Sequence, residues 1–156
     1  MRILAILFVL LIALPARAVT FEKGELSVVT ASGQNFRFDV EIARSPAQQE
    51  QGLMFRKSLP GDAGMIFLKD HDEVATFWMK NCFIPLDMLF VTADGRVARI
   101  AADVPPLFDK QPGPTDLVSS GGPVRAVVEL NAGTAAKLGI RPGDRVVFPG
   151  LGSGKP

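Results

Sequence analysis

Polar side chains interrupt the most apolar stretch of the mature chain, FWMKNCFIPLDMLF, which covers residues 77–90. A buried amide or charge is tolerated only when it has a partner. Asp87 belongs to a segment whose two faces are otherwise apolar, as in a central strand. Its carboxylate therefore needs a partner, for which the candidates are Lys80, Arg56 and Arg125.

A binding site is the first interpretation of this stretch. Strand alternation places Phe77, Met79 and Asn81 on one face, and the opposite face carries Trp78, Lys80 and Cys82. An aromatic plane beside an ammonium group is expected on an exposed sheet face or on a binding surface. We expect a site for a small molecule, glycan or peptide, formed by Arg56, Trp78, Lys80, Asn81 and Asp87.

Catalysis is the second interpretation, with Asp87 or Glu129 as the general acid or base and Lys80 or Arg56 stabilising negative charge. A glycosidase-like hydrolase would need both carboxylates in one cleft, about 5 to 10 Å apart. The third interpretation is a structural or protein-interaction domain whose polar groups satisfy one another. The chain has no Gly-rich phosphate loop, GxSxG elbow, HExxH motif or CxxC pair.

Metal binding has weak support in the sequence. His71 is the only histidine and lies in KDHDE, residues 69–73, a charged run that is more typical of a solvated turn than of a divalent metal site. Methionines with Cys82 could bind Cu(I), but on a strand Met79 and Cys82 would point to opposite faces. We therefore expect no metal and no cofactor.

The first 18 residues have the pattern of a secretory signal peptide. Arg2 precedes an apolar run, and Ala16-Arg17-Ala18 offers a cleavage site after Ala18. The run is too short for a membrane span. Cleavage would leave 15 basic residues (17 minus Arg2 and Arg17) and 16 acidic ones, a balance without the footprint of nucleic-acid binding. We expect a periplasmic or secreted protein with no membrane span.

Strand patterns dominate residues 19–148, which we expect to form a single domain, followed by a flexible tail at 149–156. The alternation in FRFDVEIA and the Asp94-Gly95 hairpin signal are the clearest. Short helices are predicted after the Ser45 N-cap and before Gly139. About eight strands and two short helices indicate a mainly β sandwich or barrel. The strands are expected at 25–30, 36–43, 64–68, 74–82, 86–92, 96–101, 124–130 and 145–148.

A long connection is predicted between Ala101 and Gly122, a stretch rich in proline and glycine. Loops of this length are usually functional or disordered. The segment is therefore a candidate lid or rim of a site.

Several motifs in series resemble the domain of unknown function 192 family: GLMFR, GMIF, FWMKN, IPLDMLF, DGRV, and VVEL followed by GTAAKLGIRPGD. The resemblance spans residues 25–148 and implies a compact β-rich domain, often exported, with no established activity. Cys82 stands where the family usually has threonine, which argues against a shared thiol chemistry. The residues that match the family motifs are Gly52, Leu53, Met54, Arg56, Gly64, Met65, Trp78, Met79, Asn81, Pro85, Leu86, Asp87, Gly95, Glu129, Gly139, Gly143 and Asp144.

Overall fold

The computed structural model describes residues 18–152. Nearly all of the predicted signal peptide and the last four residues of the predicted tail lie outside this range. The elements are β1 (Glu22–Val29), β2 (Asn35–Ala43), α1 (Pro46–Gln51), β3 (Ala63–Trp78), β4 (Leu86–Val91), β5 (Val97–Val104), a short 3-10 helix (Pro114–Asp116), β6 (Leu117–Asn131), α2 (Thr134–Leu138) and β7 (Arg145–Val147).

The seven strands form one curled sheet in the order β5-β4-β6-β3-β2-β1-β7. Only β2 and β3 run parallel among the paired strands of residues 18–152. The edge strands approach each other, since the amide of Val146 donates to the carbonyl of Gly95 and the amide of Val97 donates to that of Asp144. The prediction of a mainly β sandwich or barrel with two short helices is confirmed.

Two apolar cores lie on the two faces of the central strands. The inner core fills the curl of the sheet and is covered at one end by α2; its members include Leu26, Ile66, Leu89, Val128 and Ala135. The outer core lies on the opposite face of β3, β4 and β6, beneath the segments around α1 and after β3; its members include Leu53, Met65, Met79, Cys82 and Met88. All six residues of β4 are buried because both cores contact this strand.

Local signals define α1 well. The Ser45 hydroxyl accepts from the Gln48 amide, while the Gln48 side chain accepts from the Ser45 amide, so a capping box starts the helix as predicted. Gly52 ends it with a positive φ of 45°, and a Cβ there would lie 3.2 Å from the ring of Phe67. The turn after α1 is thereby held close to the outer core.

Two predicted boundaries are wrong. Residues 64–68 and 74–82 are not separate strands, since β3 runs through the KDHDE segment with a register shift and ends at Trp78. β6 begins at Leu117, so the irregular connection after β5 covers only residues 105–116. Beyond Phe148, Leu151 is buried in the inner core.

Within residues 18–152, no helix has the length and apolar character needed to cross a membrane.

Candidate functional site

Asp87, the buried carboxylate that the sequence singles out, is bound by backbone amides. Its Oδ1 accepts hydrogen bonds from the amides of Asp103 at 2.9 Å and Gly133 at 3.2 Å. Its Oδ2 accepts one from the amide of Ala135 at 2.8 Å. The residue has no exposed surface. Asp87 thus ties the end of β5 and the start of α2 to β4, and the prediction of a lysine or arginine partner is wrong.

Arg56 and Arg125, two of the expected partners of Asp87, are paired with other carboxylates. Arg56 forms an ion pair with Glu41. Arg125 donates to Asp72 Oδ1 at 2.8 Å. Both pairs lie at partly exposed positions.

Glu129 and Asp87 lie on opposite faces of the sheet. The register places Glu129 opposite Met65 on β3 and opposite Met88 on β4, and both methionines belong to the outer core. Asp87 is opposite Leu130, which belongs to the inner core. Because successive strand residues point to opposite faces, the two carboxyl groups are separated by the sheet. A hydrolase that uses both carboxylates in one cleft is therefore excluded.

A cavity of about 540 Å³ opens beside Glu129, and we name it the Glu129 cavity. Its wall is contributed by α1, the turn after it, β3, the segment after β3, and β6. The lining residues are Gln49, Glu50, Gln51, Gly52, Leu53, Met54, Phe67, Lys69, Thr76, Phe77, Trp78, Lys80, Cys82, Leu117 and Glu129.

The carboxyl group of Glu129 lacks a partner within the described protein. Glu129 is 4% exposed, and its side chain takes part in none of the hydrogen bonds or ion pairs among residues 18–152. Every fully enclosed side-chain nitrogen or oxygen in that range has a partner, so the Glu129 oxygens retain contact with the cavity. Burial raises the pKa of Glu129 to about 8. A pKa of about 8 leaves the carboxyl group mostly protonated, and therefore mostly uncharged, at pH 7.

Cys82 also lines the cavity, but its thiol is poorly suited to chemistry. Burial, assisted by the charge of Glu129 when ionised, raises the pKa of the Cys82 thiol to about 12. A thiol of this kind is a weak nucleophile because little thiolate forms at neutral pH. The chain turns after β3, and the amide of Cys82 donates to the carbonyl of Met79. Both side chains lie in the outer core, so their predicted separation on opposite strand faces is wrong.

Three residues of the predicted binding set, Trp78, Lys80 and Asn81, come together at the mouth of the cavity. Trp78 is 46% exposed, and the Lys80 ammonium lies 5.8 Å from its ring centroid. Both residues also line an adjoining groove of about 320 Å³, to which Asn81 contributes. The side-chain amide of Asn81 donates a hydrogen bond to the Met54 sulfur at 3.8 Å. The other two members of the predicted set, Arg56 and Asp87, do not line the cavity or the groove.

The connection after β5 is hydrogen-bonded to the segment after β3. The amide of Leu107 donates to the carbonyl of Met79, and its carbonyl accepts from the amide of Asn81. Next to it, the ring of Phe108 lies 4.4 Å from that of Phe83. The connection therefore positions the segment after β3, while its own residues do not line the cavity.

Within residues 18–152, no group of three or more histidine, cysteine, aspartate or glutamate side chains is arranged to hold a metal. His71 lies on the exposed part of β3 and its Nε2 is 3.5 Å from Glu73. The KDHDE segment is thus solvated as predicted, although it belongs to a strand instead of a turn.

Sequence reasoning missed most of the cavity wall. Gln49 and Leu53 come from α1 and the turn after it, and Phe67 and Thr76 come from distant parts of β3. The GLMF motif and the capping-box helix were visible signals, yet neither indicates which face of the sheet the helix covers. That placement depends on the pairing of β2 with β3, which brings the α1 segment across the sheet.

Comparisons with known proteins find one family model and several solved structures that resemble this chain. The DUF192 family, described as Uncharacterized ACR, matches residues 27–148. A candidate transcription regulator from Sinorhizobium meliloti 1021 has 39% identity and a TM-score of 0.79, over 86% of this chain and 100% of that one. A protein of unknown function from Novosphingobium aromaticivorans DSM 12444 has 41% identity and a TM-score of 0.73, over 88% of this chain and 94% of that one. No curated protein matches.

Proposed function

The chain belongs to the DUF192 family, and we propose that its domain is a binding module that holds a small amphipathic molecule in the Glu129 cavity. The carboxyl group of Glu129 carries the proposal, because it is buried, has no partner among the described residues and faces the cavity. Its oxygens are accessible from the cavity, so a ligand there can hydrogen-bond to them. A ligand that excluded water without making this hydrogen bond would leave a polar group unsatisfied, at a cost of about 1 to 3 kcal/mol.

The cavity has the size and lining expected of a small-molecule site. Ligand pockets are about 300 to 1,000 Å³ and combine mostly apolar walls with a few polar groups. Here Leu53, Phe67 and Phe77 supply apolar wall, and Glu129 supplies a polar group at depth. A neutral carboxyl both donates and accepts a hydrogen bond. It therefore suits an uncharged hydroxyl or carbonyl on an otherwise apolar molecule.

Titration with 1-octanol tests the proposal. Trp78 is the only tryptophan and lines the cavity, so its fluorescence reports occupancy directly. We expect a saturable change in Trp78 emission. Glu129→Leu keeps the apolar volume but removes the hydrogen bond, and should weaken binding by about threefold to tenfold.

Glu129→Gln is the matched control, because the amide still donates and accepts hydrogen bonds. It should retain more of the affinity than Glu129→Leu. Equal affinities for the wild type and both variants would show that Glu129 does not anchor the molecule. A linear, unsaturable response of the wild type to 1-octanol would remove the binding proposal.

Other functions have less support from the site. The two carboxylates that a hydrolase would pair lie on opposite faces of the sheet. The Sinorhizobium relative is described as a candidate transcription regulator, but this chain has 17 basic and 16 acidic residues. That near balance lacks the positive footprint typical of nucleic-acid binding.

We further propose that the domain works outside the cytoplasm, on the support of the signal-peptide pattern of residues 1–18. Expression of the full chain in a Gram-negative host should yield a periplasmic protein whose N-terminal residue is Val19. N-terminal sequencing of the fractionated protein measures this. Recovery of the uncut chain in the cytoplasmic fraction would contradict export.

A further inference from the structure

The charged residues around the Glu129 cavity differ in how they are paired. The Lys69 ammonium lies 2.9 Å from Glu73 Oε1 and 2.9 Å from Gln49 Oε1. Lys80 forms no ion pair with the residues that the structure describes. Lys80 is the lining cation whose charge is left available to a ligand.

The position of Lys80 makes it suitable as the outer contact of a bound molecule. Lys80 lines both the cavity and the adjoining groove, and its ammonium lies over the exposed Trp78 ring. A partly buried cation attracts an anion more strongly than one in open water. Glu50, the carboxylate on the same rim, also lines both the cavity and the groove, but it belongs to an exposed residue, so solvent screens its charge more than that of the partly buried Lys80. The mouth therefore favours a negative head group over a positive one.

We infer that the molecule held by this cavity is a bifunctional anionic amphiphile. Its anionic head pairs with Lys80 beside Trp78, its apolar body contacts Leu53 and Phe67, and an inner hydroxyl or carbonyl hydrogen-bonds to Glu129. This inference rests on the proposed binding function and specifies its ligand class. Lys80 and Glu129 both line the cavity and supply the two polar contacts of this ligand class.

Three probes with the same carbon chain and one terminal hydroxyl test the inference. They carry a carboxylate, a second hydroxyl or an ammonium at the other end, in chains of about six to ten carbons to suit the pocket. Trp78 fluorescence measures each affinity. We expect the hydroxy acid to bind about fivefold more tightly than the diol, and the amino alcohol to bind most weakly.

Lys80→Gln should reduce hydroxy-acid affinity to that of the diol and leave diol affinity unchanged. Lys137→Gln makes the same change of charge on α2, outside the cavity, and should alter neither affinity. Raising the ionic strength should weaken the hydroxy acid selectively in the wild type, which tests the charge without a substitution.

Equal binding of the hydroxy acid and the diol, or tightest binding of the amino alcohol, would overturn the inference that the ligand has an anionic head group. The proposed binding function would still hold. Failure of all three probes together with 1-octanol would overturn the binding function itself. Selective loss of the hydroxy acid in Lys80→Gln would support the inference.

Discussion

Replacing Asp87 with alanine is expected to lower the free energy of unfolding by about 3 to 5 kcal/mol. The substitution removes the acceptor of three backbone amides, those of Asp103, Gly133 and Ala135. Hydrogen bonds to a charged acceptor contribute about 1.5 to 3 kcal/mol each. The expected loss is smaller than their sum because the bonds from Asp103 and Gly133 are only partly buried, so water can replace part of them. Urea denaturation of purified variants measures the change.

Asp87→Asn refines this prediction because it conserves the shape. An asparagine offers one accepting oxygen, and its NH₂ group must face an amide hydrogen at the other position. A loss of about 2 kcal/mol is expected. Asp103→Asn is the control, since it removes a neighbouring exposed carboxylate at a positive φ that asparagine tolerates. An Asp87→Asn variant as stable as Asp103→Asn would contradict the structural role of Asp87.

Elements with local signals were predictable from the sequence. The capping box at Ser45 and the alternation of FRFDVEIA depend on residues a few positions apart, and both gave correct elements. Gly139 ends α2 with a φ of 68°, as its type suggests. In each case the physical cause lies within the segment, so no knowledge of the tertiary structure is needed.

The partners of Asp87 could not be predicted, because they are backbone amides, which every residue type except proline carries. The three donors belong to the end of β5 and the start of α2. They meet Asp87 only through the pairing of β4 with β5 and β6. A search for a cation by residue type was therefore bound to fail.

The burial of Glu129 is a second feature that could not be predicted from the sequence. The alternation of residues 124–130 puts Glu129 on the face opposite Val128 and Leu130, and an acid on an alternating strand suggests a solvated face. That face is covered by the segments around Leu53 and after Trp78, which form a second apolar layer. The layer comes from long-range contacts, so the burial of Glu129 is visible only in the structure.

Burial of this carboxyl predicts a stability that falls as pH rises. Burial raises the pKa of Glu129 to about 8 in the folded protein, against 4.5 for an unperturbed glutamate. Between these pH values the folded state therefore retains a proton that the unfolded chain has released. Between these two pH values rising pH favours unfolding, by about 1.4 kcal/mol per pH unit for this group. The contribution of Glu129 is constant below this window and reaches its lowest value above it.

Glu129→Gln should remove this dependence while keeping the shape of the side chain. The free energy of unfolding of the variant minus that of the wild type should therefore increase from pH 5 towards pH 8, the value to which burial raises the pKa of Glu129. Urea denaturation at constant ionic strength measures both proteins, and taking the difference cancels titrating groups that they share. Glu50→Gln is the control, because it removes an exposed carboxylate from the same cavity rim.

Parallel stability curves for the wild type and Glu129→Gln would mean that Glu129 already ionises near its ordinary pKa. The cavity would then hold enough water to solvate a carboxylate, and the neutral anchor of the proposed ligand would be lost. Stability curves of the wild type and Glu129→Gln that diverge as pH rises would show that the pKa of Glu129 is raised. In that case the cavity is dry enough to keep the acid protonated at pH 7, and a hydroxyl or carbonyl is the group that it can bind without a compensating charge.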